Sequence, residues 1–268
     1  MPDAAGLWYE WTGNADGEPL LLSSGLGGSA SYWQPNLAAL GERYRILLYD
    51  HRGTGRSDRA LPDRVSVDDL ADDILTVLDA SGTRRAHLIG HAAGGVAGLA
   101  LAMRAPERLA SLVMVNGWAS PDPHFARCFD ARLALLRNSG PEAYLRAQPI
   151  FLYPAPWISA HHEELEAELA HQFAGFAGAG NFEKRIAALR SFDVRGQLGE
   201  IDVPTLLVST ADDMLVPWTC STKLAAEFRK RPPSQLHFAW GGHACNVTDA
   251  PGFDAGVLDF LNQHPIKG

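Results

Sequence analysis

The chain has 268 residues, 46% hydrophobic and 20% charged, enough to bury a substantial core in one main domain. A formal net charge of -8 without any basic cluster excludes the electrostatic footprint of a nucleic-acid or anionic-membrane binder, so a small molecule is the expected partner. Cys128, Cys220 and Cys245 are far apart, odd in number and outside metal-ligand spacing, which predicts no disulfide framework, no metal site and a reducing compartment. Residues 1–13 lack a basic start followed by an apolar core, and no stretch approaches the roughly 18 apolar residues of a membrane span; a soluble, cytoplasmic protein is expected.

Leu7 to Thr12 and Pro19 to Ser24 read as strands, the second continuous enough at Leu20-Leu21-Leu22 to lie inside a sheet, with Gly13 to Gly17 as the hairpin turn between them. Gly25-Leu26-Gly27-Gly28 breaks that strand into a loop whose backbone can approach a site, and Trp33 to Leu40 resumes as a short helix. Tyr44 to Asp50 is another buried strand, followed by a glycine-rich loop to Asp58. Ser66 and Asp69 form a capping box for a helix that carries Leu70, Ile74, Leu75 and Leu78 on one face and is closed by Gly82. The apolar run from Ala86 enters Gly90-His91-Ala92-Ala93-Gly94 and an alanine-rich helix to about Arg104; Leu112 to Val115 is the next strand. This alternation predicts a mostly parallel sheet covered on both faces.

From residue 119 to about 199 the pattern becomes helical without a convincing strand. Phe125, Cys128, Phe129, Leu133 and Leu136 form one stripe and Leu165, Leu169 and Phe173 a second, with Phe151 to Trp157 as a stiff aromatic connection. The expected organisation is a sheet domain of residues 1–118 and 200–268 with an inserted helical cap of residues 119–199. Pro204 to Thr210 and Gln235 to Ala239 are the last strands, Thr219 to Phe228 and Pro251 to Leu261 the last helices.

Gly90-x-Ala92-x-Gly94 has the form of a nucleophile elbow, in which small residues flank a side chain lifted above the sheet on a strained turn. Alanine holds the place of the nucleophile. The acid and histidine that follow in chain order are present: Asp213, chosen over Asp212, lies in a loop four residues before Pro217, and His243 follows Gly241-Gly242 after the last strand. The amides of Ala93 and Leu26 are the expected oxyanion donors, which need no side chain. Gly25, Trp33, Trp118, Tyr153 and Trp157 are candidates to line a small pocket. His91 is expected to point away from the site and to pack or orient. Cys245 is a substitute nucleophile with nothing to activate it, and His161-His162-Glu163-Glu164 is a solvated helix start rather than a metal site.

Taken together, the elbow, the loop Asp50-x-Arg52-Gly53-x-Gly55-x-Ser57-Asp58, the acid loop and the final histidine resemble the α/β-hydrolase superfamily over nearly the whole chain. Gly25-Leu26-Gly27-Gly28-Ser29, Val115-Asn116-Gly117-Trp118, Phe151-Leu152-Tyr153-Pro154 and Gly241 to Asp249 resemble the pyrimidine-utilisation D family within it. That resemblance implies an α/β-hydrolase fold, no cofactor, a native alanine at the elbow and hydrolysis of carbamate or aminoacrylate in uracil degradation. The implied chemistry is water attack with His243 as base and Asp213 as its orienter. A serine hydrolase inactivated at Ala92, a non-catalytic binder and a cofactor-free lyase or oxygenase remain alternatives. Arg52, Arg127 and Arg146 are all open as carboxylate partners, and the cap surface could carry a homodimer contact.

Overall fold

The computed structural model describes residues 3–266. Among them β1 (Asp3–Ala4), β2 (Leu7–Gly13), β3 (Glu18–Ser23), β4 (Tyr44–Tyr49), β5 (Ala86–His91), β6 (Leu109–Val115), β7 (Thr205–Thr210) and β8 (Ser234–Phe238) form one sheet. Its order is β1-β2-β4-β3-β5-β6-β7-β8. β2 is antiparallel to β1 and β4; all other pairs are parallel. The central strands are buried on both faces because successive side chains alternate. Leu21, Leu88, Leu112 and Leu207 enter one core, whereas Leu20, Leu22, Ile89, Val113 and Val208 enter the other.

A short 3-10 turn (Ala30–Asn36) leads into α1 (Leu37–Gly41), and α2 (Val67–Ala80) and α3 (Ala93–Arg104) pack on the first core. The predicted capping box is present: Ser66 Oγ accepts from the Asp69 amide at 3.2 Å, and Asp69 Oδ2 accepts from the Ser66 amide at 2.7 Å. Between β6 and β7 lie α4 (Pro123–Leu152), α5 (Ala155–Ala160), α6 (His162–Ala174) and α7 (Ala179–Ser191), with no strand among the described residues. After β7 come α8 (Thr219–Glu227), α9 (Cys245–Thr248) and α10 (Ala250–Asn262). Among the described residues no helix is long and apolar enough to cross a membrane.

Three local expectations are corrected. Residues 13–17 do not close a hairpin, because β4 lies between β2 and β3; the Asn14 amide instead donates to the Tyr44 carbonyl at 3.1 Å. An apolar triplet such as Leu20-Leu21-Leu22 needs neighbours on both edges, which β4 and β5 provide. The aromatic connection is shorter than expected: α4 breaks at Gly140 (φ +83), restarts at Pro141 and runs through Leu152, leaving only Tyr153 and Pro154 outside helices. The stripe on α6 is not a core face, since α6 has no buried residue and Phe173 is 51% exposed.

The sheet and α3 meet through glycines. A Cβ on Gly94 would lie 2.3 Å from the Ser23 carbonyl oxygen, and one on Gly90 would lie 2.4 Å from the Gly94 oxygen. Gly94→Ala is therefore expected to destabilise the protein by more than about 3 kcal/mol, because backbone rather than a movable side chain must give way. Urea denaturation checks this, and a loss under about 1 kcal/mol would show that the helix can slide without penalty.

Candidate active site

At the end of β5 the chain turns through Ala92, whose φ of +46 and ψ of -103 lie where a side chain is strained, and enters α3. The turn is fastened from both sides: the Ala92 amide donates to the Val115 carbonyl at 2.8 Å, and the Gly94 amide to the Ser24 carbonyl at 3.0 Å. Ala93 opens the helix, so its N–H has no helical acceptor, and the Leu26 N–H donates to no group among the described residues. The Gly94–Ser24 bond sets the glycine loop beside the helix N-terminus, the arrangement on which an oxyanion hole rests.

His243 is 2% exposed, and its Nδ1 donates to Asp213 Oδ2 at 2.8 Å. The other carboxylate oxygen accepts from the Leu215 and Val216 amides at 2.7 and 2.8 Å, so the acid is fixed in place and compensated. With Nδ1 donating, the Nε2 lone pair is left available as a base. Asp212 does not touch the imidazole and acts on the backbone instead. It accepts from the Gly242 and Gly241 amides at 2.9 and 3.3 Å and so shapes the histidine loop.

That loop is held from several directions. Thr210 Oγ1 donates to the Gly242 carbonyl at 2.7 Å, and Asn116 Nδ2 to the His243 carbonyl at 2.7 Å. The Ala244 amide donates to the Leu152 carbonyl at 3.1 Å, tying the loop to the end of α4. A Cβ on Gly242 would lie 2.7 Å from the same carbonyl oxygen.

His91 packs and orients, as expected, but it does so against His243 rather than away from this assembly. It packs edge-on against the His243 ring, with centroids 4.7 Å apart, and its Nε2 donates to the His243 carbonyl at 2.8 Å. Tyr32 stacks on its other face at 4.8 Å and donates to Asn246 Oδ1 at 2.7 Å. Burial and the neighbouring His243 keep His91 neutral, well below the ordinary imidazole range. Its bare Nδ1 faces Gly25, where a Cβ would lie 2.7 Å away, so Gly25 acts by admitting the ring.

The proposed pocket residues separate. Trp118 shares a core cluster with Ala92 and packs tilted against Phe125 at 4.6 Å; its indole N–H is buried without an acceptor among the described residues. Tyr153 packs on Trp157 at 4.4 Å, and its proximity to Tyr32 adds to the burial that raises the Tyr32 hydroxyl pKa. Trp157 itself stacks on His161 at 3.9 Å. Trp33 is not brought to the site: it fills the opposite core beside Phe253, where the large ring replaces several aliphatic side chains.

Cys245 belongs to that same core, and burial pushes its thiol up to about 12, so no thiolate stands in for the missing serine. Cys220 and Cys128 are likewise raised by burial, Cys220 to about 11. Among the described residues no group of three or more His, Cys, Asp or Glu is placed to hold a metal ion.

The three arginines offered as carboxylate partners are placed elsewhere. Arg52 pairs with Asp73 at 3.0 Å, Arg146 pairs with Glu166 at 2.8 Å on the surface, and Arg127 is exposed. The buried guanidiniums are instead those of Arg132 and Arg185. Arg185 donates to the carbonyls of Leu26 and Arg52 at 3.1 and 3.2 Å and to His51 Nδ1 at 2.9 Å, pinning α7 to the glycine loop. The sequence signal for Arg132 is a charge on the apolar stripe of α4, which a count of the apolar members alone misses.

This elbow, with an acid and a histidine on the loops that follow β7 and β8, defines the α/β-hydrolase class, and the family model described as alpha/beta hydrolase fold matches residues 18–152. The chain is an α/β-hydrolase-fold hydrolase and belongs to the RutD family. It is 54% identical over 264 residues, 98% of both chains, to a Variovorax paradoxus protein named "putative carbamate hydrolase RutD", and 53% identical to a Caulobacter segnis protein of the same name over 96% of both. Among solved structures it is similar to the enol-lactonase of Burkholderia xenovorans, with a TM-score of 0.85, 26% identity and 96% coverage of both chains.

Buried neutral histidines make stability depend on pH. His51, through burial and Arg185, and His91, through burial and His243, are both held well below the usual imidazole value. The unfolded chain takes up these protons as pH falls through about 6.5 and the folded chain does not, so their contribution is complete above that pH and declines below it. Asp254, raised to about 6 by burial, acts in the opposite sense, so a variant is needed to isolate the imidazole. Between pH 6 and 5, His91→Gln should lose less stability than the parent by about 1.2 kcal/mol. Parallel slopes in urea titrations would show that His91 is protonated in the folded state.

Proposed function

We propose that the protein is a cytoplasmic, cofactor-free hydrolase of a small anionic product of pyrimidine breakdown, with carbamate as the first substrate to test and aminoacrylate as the second. The observation that carries this reading is the intact, buried His243–Asp213 pair beside an elbow whose apex has no hydroxyl. The carbamate hydrolase names of the relatives support the substrate class. Three free thiols fit a reducing compartment.

In this mechanism Asp213 holds the imidazole with its Nε2 lone pair available, and His243 removes a proton from water as the oxygen attacks the carbamate carbon. The Leu26 and Ala93 amides take the charge that gathers on oxygen. The C–N bond then breaks, the imidazolium returns its proton to the departing nitrogen, and ammonia and bicarbonate leave. Ala92 contributes the space that a serine hydroxyl would fill, where a water can stand between base and substrate. In aminoacrylate the same step, directed at the imine carbon of its tautomer, releases ammonia and malonic semialdehyde.

Ureidoacrylate cleaved in situ supplies both compounds together, and carbon NMR follows their separate loss. The wild-type protein is expected to accelerate the loss of one, with His243→Ala reducing the catalysed rate by about 10²–10⁴-fold. Ala92→Ser should gain no ester-cleaving activity. Decay identical with and without protein would defeat the hydrolase reading, and strong esterase activity in Ala92→Ser would favour a disabled serine enzyme.

A further inference from the structure

Helix α4 turns Phe125, Cys128, Phe129 and Arg132 to one side, the i, i+3, i+4, i+7 spacing of a buried helical face. Three of these residues are apolar or nearly so, and the fourth is a permanent cation that is only 3% exposed. Arg132 Nη2 donates to the Tyr144 hydroxyl at 2.6 Å and to Gln148 Oε1 at 3.4 Å, both neutral acceptors. Its Nε is buried without any acceptor, Nη1 has no partner either, and no carboxylate pairs with the guanidinium among the described residues. The rings of Phe129, Tyr144 and Phe151 lie 5.3, 5.0 and 5.6 Å from it and supply only weak cation–π compensation. A largely buried guanidinium whose Nε has no acceptor and which meets no counter-charge is unfavourable, and a bound anion would relieve that cost.

Two lines of contact connect this cation to the catalytic pair. One helical turn before it, Cys128 Sγ lies 3.3 Å from the carbonyl of Met214, the residue after Asp213. On the other side Phe151, beside the guanidinium, precedes Leu152, whose carbonyl accepts from the residue after His243. Arg132 therefore sits where α4 crosses both loops that carry the base and its acid. A further line of rings, Phe129 to Phe125 at 4.7 Å and Phe125 to Trp118 at 4.6 Å, reaches a second buried donor without an acceptor, the Trp118 indole N–H. Both groups donate only, as recognition of an oxyanion requires. Arg185 differs, since each of its three guanidinium nitrogens already has an acceptor within the chain.

We propose that Arg132 is the anion-recognition residue of this site, holding the carboxylate group of a small monoanionic substrate through the guanidinium N–H groups that find no acceptor among the described residues. The identity of that substrate rests on the hydrolase reading above; the anion site itself does not. It selects acids over their uncharged amides and orients the substrate toward His243 from the cap side.

Acrylate and acrylamide, nearly equal in size and different in charge, are suitable probes, with dissociation constants measured by isothermal titration or ligand-observed NMR. The wild-type protein should bind acrylate at least about 10-fold more tightly than acrylamide. Arg132→Met should weaken acrylate by about 10- to 100-fold while leaving acrylamide unchanged, and should raise KM with little change in kcat. Arg132→Lys, which keeps the charge but not the planar fork, should fall between them, and it decides the matter if the methionine variant does not fold. Equal wild-type affinity for acid and amide, or an unchanged acrylate affinity in either variant, would overturn the proposal. Acid selectivity lost in Arg132→Met without wild-type turnover would leave the anion site standing and the hydrolase reading fallen. Turnover with an unchanged KM in Arg132→Met would do the reverse.

Discussion

The first turn of α3 touches β3 and β5 backbone to backbone, because Gly90 and Gly94 carry no Cβ where one would penetrate a carbonyl oxygen. From that contact the rest of the site follows. The chain has to leave β5 and enter the helix within one residue, which forces Ala92 to a positive φ, and it leaves the Ala93 amide at the positive end of a buried helix. The same closeness brings the Ser24 carbonyl within hydrogen-bond reach of the Gly94 amide and thereby fixes where the Leu26 loop begins. Strain at Ala92 is thus sustained by packing around it and needs no hydroxyl for its support.

The histidine is positioned by a different means, redundancy. Asp213 binds its ring, Asn116 and His91 bind its carbonyl, Thr210 and Asp212 bind the peptides before it, and Leu152 binds the amide after it. Loops are ordinarily the mobile part of a fold, yet this one is held by hydrogen bonds at each residue from Gly241 to Ala244. Its imidazole consequently has little freedom beyond the protonation of Nε2. An imidazole held in this way has little orientational freedom left to lose.

Features encoded by neighbouring residues were legible in the sequence, and those created by distant ones were not. The glycines around Ala92, the capping box of Ser66 and Asp69, and the strand-ending loops of Asp213 and His243 are local patterns, and their geometry can be read within a few residues. The absence of a hairpin after β2 could not be read locally, because it depends on β4 arriving between two strands that are adjacent in sequence. Trp33 and Trp118 look alike as aromatic residues after a strand, and only the two-sided sheet sends one to the far core and the other beside Ala92. The arginines show the same limit: what separates Arg132 and Arg185 from Arg52 and Arg146 is the presence or absence of a carboxylate contributed by another element.

Electrostatics give these separate features a common sign. The chain carries a formal charge of -8, so an anion approaching it meets an unfavourable average field. Inside, the balance is different. Asp213 is the carboxylate in contact with His243, and its charge is spread over two backbone amides and the imidazole. Opposed to it are the N-terminus of α3, the Leu26 amide and, on α4, the Arg132 guanidinium, which pairs with no carboxylate among the described residues. Neutral His91 adds no charge behind the base. The N-terminus of α3 and the Leu26 amide are thus donors beside the elbow, and a donor withdrawn from solvent acts more strongly than the same group at the surface. An alanine at the elbow apex leaves these backbone donors in place, because neither the Ala93 nor the Leu26 amide depends on the side chain at position 92.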